Sequence, residues 1–199
     1  MRITPRNLLV TIGSAVTAVW LAGCVPLVIG TAAVGGASIA HDRRTAGTIV
    51  EDQVIEAKIL AALHENTGLW EQSHFSVTSY NMVVLLAGET PTEALRARAE
   101  EIARGIKPVR RVYNELTVAA PSALMTRSGD SWITTEVKAH FLKIKGIEGF
   151  DPTRVKVVTV NGTVYLMGLV SREGGNAAAE SARQVRGVQR VVKLFEYLS

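Results

Sequence analysis

The chain has 199 residues, of which 47% are hydrophobic and 20% are charged, a composition typical of globular rather than disordered proteins. This length is enough for one medium-sized domain or two small ones. The formal charge of +4 at pH 7 favours anionic partners, and the single cysteine excludes both an intrachain disulfide and a multi-cysteine metal site.

Residues 1–23 are predicted to form a secretory signal peptide. Arg2 and Arg6 provide a basic start, and the apolar run behind them is too short and too often interrupted by hydroxyl side chains for a comfortable transmembrane span. The run ends in LAGC (21–24), which resembles the lipobox of bacterial lipoproteins. That resemblance implies cleavage before Cys24, a diacylglycerol on its thiol, and a further acyl chain such as palmitate on its new amino group.

Several acyl chains hold a protein stably at a membrane, so Cys24 is predicted to be the lipidation site rather than a catalytic residue. The alternative is an ordinary buried cysteine. In enterobacterial lipoproteins, an aspartate directly after the lipidated cysteine resembles a signal for retention in the inner membrane. This chain has Val25 at that position, which favours delivery to the outer membrane. Residues 24–47 then form the predicted tether, whose uncharged segment VPLVIGTAAVGGASIA is expected to be flexible or to lie against lipid.

The rest of the chain is a tandem repeat. Three pairs of segments align, at offsets of 78, 80 and 79: DQVIEAKILAAL (52–63) with DSWITTEVKAHF (130–141), SVTSYNMVVLLAG (76–88) with KVVTVNGTVYLMG (156–168), and ARGIKPVRRVYNEL (103–116) with ARQVRGVQRVVKLF (182–195). Nearly equal offsets in three blocks indicate two copies of one structural unit.

Each copy predicts the same elements in the same order. The first has a helix at 49–65, strands at 74–80 and 83–90, a helix at 92–106 and a strand at 109–118. The second has a helix at 131–145, strands at 155–160 and 163–170, a helix at 172–186 and a strand at 188–198. Asn161-Gly162 predicts a tight type I′ hairpin turn, which needs positive φ at both central residues. Asn81-Met82 predicts a looser or differently turned hairpin.

This order predicts an α+β fold with two domains, 48–119 and 130–199. A linker is expected at 120–129, where proline, serine and glycine occur. Each domain is expected to have a three-stranded mixed sheet with both helices on one face.

The repeat resembles the BON domain. The second copy carries V-x-x-x-N-G-x-V-x-L-x-G (157–168) and GVQRV (187–191). Together with the lipobox, DRRT (42–45) and WITTEVK (132–138), it resembles the dual-BON-domain outer-membrane lipoproteins of Gram-negative bacteria. The resemblance implies a protein that is anchored by lipid in the outer membrane, faces the periplasm and supports the integrity of that membrane. Two departures, Met82 and Pro108, fall in the first copy.

The two copies differ in charge. Residues 48–118 contain seven basic and ten acidic side chains, a net charge of −3, whereas residues 128–199 contain ten basic and seven acidic ones, a net charge of +3. A basic module tethered to a membrane favours binding to an anionic lipid surface, where each nearby lysine or arginine contributes about 1 kcal/mol.

The first helix of the second copy has two apolar faces. At about 100° per residue, Ile133, Val137 and Phe141 form the face expected to meet the sheet, and Trp132 and Leu142 lie nearly opposite among lysines. Such a face is typical of an interfacial membrane contact. The resemblance also implies binding of anionic phospholipid, such as phosphatidylglycerol, through this helix. The predicted phospholipid-binding residues are Trp132, Thr135, Lys138, Ala139, Leu142, Lys143 and Lys145.

Alternatives remain at this point. Trp132 and Leu142 are equally compatible with packing against the first copy or the linker. The alternative function is that of an adaptor in envelope assembly, in which the acidic first copy or the sheet faces bind outer-membrane assembly or division-site proteins. We predict no enzyme, no cofactor and no metal site, because the histidines lack metal-ligand spacing and no catalytic motif occurs. The export signal argues against nucleic acid as a partner.

Overall fold

The structure, a computed structural model, describes residues 44–120 and 124–198. The predicted signal peptide, Cys24 and nearly all of the predicted tether lie outside these ranges. Among the described residues, none of the helices has the length and hydrophobicity needed to cross a membrane.

Both copies have the predicted α+β architecture. The elements of the first copy are α1 (Ala46–Glu65), a short helix α2 (Thr67–Trp70), β1 (His74–Tyr80), β2 (Val83–Thr90), α3 (Glu93–Gly105) and β3 (Arg111–Val118). Those of the second copy are α4 (Leu124–Phe141), β4 (Lys156–Val160), β5 (Thr163–Val170), α5 (Arg172–Arg183) and β6 (Arg190–Tyr197), with a single 3-10 turn (Pro152–Arg154) before β4.

Each sheet is three-stranded and mixed, as predicted. The strand orders are β1-β2-β3 and β4-β5-β6. The hairpin strands pair antiparallel, and the last strand of each copy pairs parallel to the central strand. A parallel neighbour requires a crossover connection, and α3 and α5 provide it. The helices of each copy therefore cover one face of its sheet.

Helix α4 differs from its prediction at both ends. Residues 124–129, which their composition predicts as linker, form its first turns. Leu124, Met125 and Arg127 are good helix formers, and one glycine such as Gly129 costs a helix only about 1 kcal/mol. The helix ends at Phe141 rather than at residue 145, because the amides of Lys143 and Ile144 bond to carbonyls three residues back.

The hairpin of the first copy also corrects the sequence prediction. Asn81 and Met82 have φ values of 53° and 60°, close to the 49° and 70° of Asn161 and Gly162. Both hairpins therefore have the same left-handed turn. A left-handed conformation costs a non-glycine residue about 1–2 kcal/mol, and Met82 offsets this cost because it packs against the first core.

A buried aspartate at the start of each copy holds the turn in place. The amides of Asn81 and Met82 donate to the two carboxylate oxygens of Asp52 at 2.7 and 2.8 Å. The amides of Asn161 and Gly162 donate in the same way to Asp130, both at 2.8 Å. Hydrogen bonds to a charged acceptor are roughly twice as strong as neutral ones, so each aspartate fixes its helix on its hairpin.

The matched glycines of the repeat permit a close backbone approach. Gly88 and Gly168 have φ values of 125° and 156°. A Cβ atom at Gly88 would lie 2.0 Å from the carbonyl oxygen of His74, and one at Gly168 would lie 2.6 Å from that of Arg154. At Gly88 and at Gly168, the backbone at or just before the start of the first hairpin strand therefore lies too close for any residue other than glycine.

The two sheets pack against each other through the faces that the helices leave uncovered. Val84 and Leu86 of β2 point to the helices of their own copy, whereas Leu85 and its neighbours point to the other sheet. The core between the sheets contains Tyr80, Val83, Leu85, Ala87, Tyr165, Met167 and Leu194. The result is four layers, helix–sheet–sheet–helix, with α1 and α4 on the outside.

Candidate functional site

The site predicted on α4 lies on the outer side of this assembly. Ile133, Val137 and Phe141 are buried in the core of the second copy. On the opposite side, Trp132 is 51% exposed and Leu142 is 70% exposed. Trp132 is therefore not buried against the first copy, which was the structural alternative.

We call the predicted surface the Trp132 ridge. Its members are Trp132, Thr135, Lys138, Ala139, Leu142, Lys143 and Lys145, all of them exposed. The first five lie along the outward side of α4 and the residue after it, and the last two lie in the turn beyond the helix. The structure thus leaves all seven predicted residues exposed, five of them on α4 or directly after it.

Two contacts near the middle of α4 fix the orientation of the helix on its own sheet. Asp130, only 8% exposed, binds both amides of the β4–β5 turn. Thr134 donates its hydroxyl to that of Thr159 at 2.7 Å. These contacts lie within two residues of Trp132, so the indole is presented outward by a helix that is bonded to its own sheet.

The three lysines of the ridge differ in ion pairing from most of the arginines on α3 and α5. In the described part of the chain, no carboxylate pairs with Lys138, Lys143 or Lys145. On α3 and α5, by contrast, arginines pair with glutamates of the same helix: Arg96 with Glu93, Arg98 with Glu101, Arg104 with Glu100, and Arg183 with Glu180. The ridge therefore presents positive charge that is not neutralised locally.

The equivalent face of α1 lacks these features. Val54 occupies the position equivalent to Trp132 and is 41% exposed. Ala57, Ala61 and His64 are exposed beside it, and Lys58 is the neighbouring cation. This face has neither the indole nor the group of lysines, so the two copies provide an internal comparison within one fold.

A groove of about 600 Å³ lies beside the ridge, between α1 and the end of α4. Three ridge residues, Lys138, Ala139 and Leu142, form one wall. Across the groove, the Lys156 ammonium lies 3.0 Å from the carboxylate of Glu56. The sequence patterns did not reveal this groove, because its walls come from both copies.

Two structural residues were also missed as determinants of the site. Asp52 and Asp130 occupy the first position of the aligned blocks 52–63 and 130–141. An aspartate repeated at the same position of both copies is the sequence signal that indicates a shared structural role. The sheet faces, considered above as a docking surface, are covered because they pack on each other.

Titratable groups with shifted pKa values lie away from the ridge. The side-chain amide of Asn114 donates to Glu100 at 3.0 Å and lowers the pKa of that carboxyl. Burial raises the pKa of the Tyr165 phenol. Within the described ranges, no group of three or more histidine, cysteine, aspartate or glutamate side chains is arranged to hold a metal ion.

Two α-β-β-α-β modules packed sheet to sheet, with an exposed cationic and aromatic helix on one of them, define a tandem-module α+β protein. The chain belongs to the BON-domain family, whose pattern matches residues 51–120 and 129–199. It is similar to the "Outer membrane lipoprotein DolP" of Haemophilus influenzae, at 37% identity over 199 residues, which is all of both chains.

Two further relatives are similar over most of the chain. The "21 kDa hemolysin" of Actinobacillus pleuropneumoniae is 39% identical over 157 residues, or 79% of each chain. The "Osmotically-inducible protein Y" of Escherichia coli is 31% identical over 160 residues, or 78% of this chain and 77% of that one. The BON-domain match confirms the predicted family, and the full-length similarity to an outer-membrane lipoprotein confirms the predicted localisation at the outer membrane.

Proposed function

We propose that the protein is a lipid-anchored, periplasmic outer-membrane lipoprotein whose second BON domain binds anionic phospholipid through the Trp132 ridge and thereby supports the integrity of the membrane. The observation that carries the proposal is the half-exposed indole of Trp132 on a helix whose last turns and following residues carry three lysines without an ion-pair partner among the described residues. Tryptophan favours the headgroup level of a bilayer, and ammonium groups bind lipid phosphates.

The charges supply a substantial part of the affinity. Each lysine near an anionic surface contributes about 1 kcal/mol, so three contribute about 3 kcal/mol, or roughly a hundredfold in the dissociation constant. A lipid anchor at Cys24 raises the local concentration of the ridge at the membrane. A modest intrinsic affinity is then sufficient for the tethered protein.

The substitution Trp132→Glu tests the proposal. It removes the indole and places a carboxylate at the membrane contact, so we expect it to abolish binding to phosphatidylglycerol vesicles in a sedimentation assay. The thermal melt should change little, because an exposed substitution away from packing contacts usually alters stability by less than about 0.5 kcal/mol. The matched control is Val54→Glu, at the equivalent position of α1, which should retain vesicle binding.

An adaptor function is the competing hypothesis, and Val50 and Val54 give it a surface, since both are exposed on α1. Salt concentration separates the two hypotheses. Binding led by exposed lysines weakens as salt screens the charges, whereas an apolar contact persists. Retained vesicle binding in the Trp132→Glu protein, or a collapse of its thermal melt, would contradict the lipid-binding proposal.

A further inference from the structure

We propose that the groove beside the Trp132 ridge holds a single anionic phospholipid, with its phosphate between Lys138 and Lys156 and one acyl chain along the apolar wall. Glu56 of the first BON domain limits the affinity. This inference deepens the proposed function and rests on it, because the groove and the ridge share Lys138, Ala139 and Leu142.

The shape of the groove suits one amphiphilic molecule. Its volume of about 600 Å³ lies within the range of small-molecule sites, roughly 300–1,000 Å³. Tyr80 and Val155 are almost fully buried and form its base. The apolar lining residues come from both domains: Ile49, Tyr80, Ala139, Leu142, Pro152 and Val155. An acyl chain in the groove would therefore contact both BON domains at once.

The cations of the groove are not equally available. Arg44 is held against Asp52 at 2.5 Å and lies 3.9 Å from the centre of the Tyr80 ring, so its position is fixed. Lys138 is exposed and has no carboxylate partner among the residues that the structure describes. It is therefore the first cation that an entering phosphate meets.

Lys156 is the second cation, and Glu56 competes for it. The Lys156 ammonium lies 3.0 Å from the Glu56 carboxylate and 3.4 Å from the carbonyl oxygen of Ser79. The two side chains are 39% and 26% exposed, and a partly exposed ion pair of this kind contributes little to stability. A lipid phosphate can therefore replace the carboxylate as the partner of Lys156, and removal of the carboxylate charge should strengthen binding.

The other side of the molecule provides an internal comparison. There the equivalent cavity has Asp130, Ser131 and Thr134 where the groove has Asp52, Gln53 and Glu56, and its volume is about 270 Å³. Among its described lining residues, none is a lysine or an arginine. The fold therefore does not require a large cationic groove, and the one beside the ridge results from particular side chains.

The combination of groove and ridge favours a bilayer lipid over a soluble anion. A soluble phosphate cannot form apolar contacts with the base of the groove. The acyl chain of a phospholipid can contact the base while its phosphate binds the cations at the mouth. The groove opens beside Leu142, whose side chain is 70% exposed and belongs to the surface proposed to enter the headgroups. A lipid bound there remains next to the bilayer.

The test uses dihexanoyl phosphatidylglycerol below the concentration at which it forms micelles, so that no bilayer contributes. It is titrated into the mature chain (24–199) carrying Cys24→Ser, and amide shifts are followed by NMR. We expect shifts at Ile49, Gln53 and Thr153, and at least tenfold weaker binding of the zwitterionic phosphatidylcholine analogue because the headgroup loses its net charge.

Two substitutions on α1 locate the bound lipid. Gln53→Trp fills the groove from outside the ridge and should weaken binding of the monomeric lipid at least tenfold. Val54→Trp introduces the same side chain one position along, on the face turned away from the groove, and should alter binding by less than about twofold.

Glu56→Gln tests the charge competition and does not depend on the folding of a bulky variant. It should tighten binding of monomeric phosphatidylglycerol about fivefold. Glu51→Gln removes an exposed carboxylate from the same helix outside the groove and should leave the affinity unchanged.

The inference is overturned if monomeric lipid shifts only ridge residues, if Gln53→Trp and Val54→Trp behave alike, or if Glu56→Gln does not strengthen binding. Vesicle binding by the Trp132→Glu protein distinguishes failure of the groove proposal from failure of the proposed membrane binding by the ridge. If that variant loses vesicle binding while the groove variants have no effect on monomeric lipid, the ridge remains the site and the groove is excluded.

Discussion

At the scale of single residues, two buried aspartates and one exposed tryptophan distinguish the helix of the proposed site from its counterpart in the first copy. Asp130, near the middle of α4, bonds that helix to the β4–β5 turn through two hydrogen bonds, and Trp132 follows two residues later on the opposite side. Asp52 performs the same structural role in the first copy, where Val54 takes the place of the indole. The same framework therefore presents different side chains in the two domains.

The substitution Asp130→Ala tests this framework. It removes a charged acceptor and leaves the amides of Asn161 and Gly162 without their partner, so we expect a loss of about 3 kcal/mol in the free energy of unfolding. Urea unfolding measures it. Glu136→Ala on the same helix is the control and should cost less than 1 kcal/mol. Equal losses for the two variants would show that Asp130 does not hold the turn.

Part of this residue-scale description could be predicted from the sequence. Helical periodicity places Trp132 and Leu142 opposite Ile133 and Val137, but it left open whether that side is exposed or packs against the first copy or the linker. The turn at Asn81-Met82 was predicted wrongly, because local propensity penalises methionine at positive φ. Its conformation is imposed by Asp52, 29 and 30 residues earlier in the chain, and no local pattern contains that information.

At the scale of elements, the ridge differs from the other outer surfaces in the pairing of its charges. The arginines of α3 and α5 lie three or four residues from a glutamate on the same helix, and such pairs satisfy each other. The lysines at 138, 143 and 145 have no such partner in the described part of the chain. The location of positive charge, rather than the total charge, should therefore decide lipid binding.

A charge-matched pair of triple variants tests this point. Replacement of Lys138, Lys143 and Lys145 by glutamine removes three charges from the ridge and should weaken binding to phosphatidylglycerol vesicles about a hundredfold. Replacement of Arg98, Arg104 and Arg183 by glutamine removes the same net charge from paired positions and should have a much smaller effect. Similar losses in a vesicle titration would mean that net charge alone attracts the protein.

Element bounds were predicted well where the pattern was periodic and poorly at α4. The strands β1 and β2 have the predicted bounds, because alternation and turn residues mark both ends. At α4 the glycine and serine residues near 128 suggested a linker, and the lysine-rich continuation suggested a longer helix. Lys143 and Lys145 thus belong to the turn after α4, where both are exposed.

At the scale of the whole molecule, packing of the two sheets leaves the outer helix faces available. The core between the sheets joins residues such as Leu85 and Met167 from the two copies, so the sheet faces cannot serve as docking surfaces. Hydrogen bonds between copies reinforce this arrangement: the side-chain amide of Asn81 donates to Glu196 at 3.0 Å, and that of Asn161 donates to Glu89. The ridge therefore lies on an outer layer, available to a membrane.

This packing was not predicted, although a signal was present. The central strands β2 and β5 are hydrophobic on both faces over most of their length, as in VVLLA (83–87) and VYLM (164–167), and such strands are typical of sheets covered on both sides. The helices cover only one side. The second cover is the other copy, and its position depends on contacts between residues about 80 positions apart.

The fluorescence of Trp132 at a membrane tests most directly whether the indole of the Trp132 ridge enters anionic lipid headgroups. In the mature chain with Trp70→Phe, Trp132 is the one remaining indole, since Trp20 lies in the predicted signal peptide. On addition of phosphatidylglycerol vesicles, its emission should shift to shorter wavelength, and lipids brominated near the glycerol end of the acyl chain should quench it. Phosphatidylcholine vesicles should produce neither change. An unchanged emission spectrum from protein that sediments with the anionic vesicles would contradict the account.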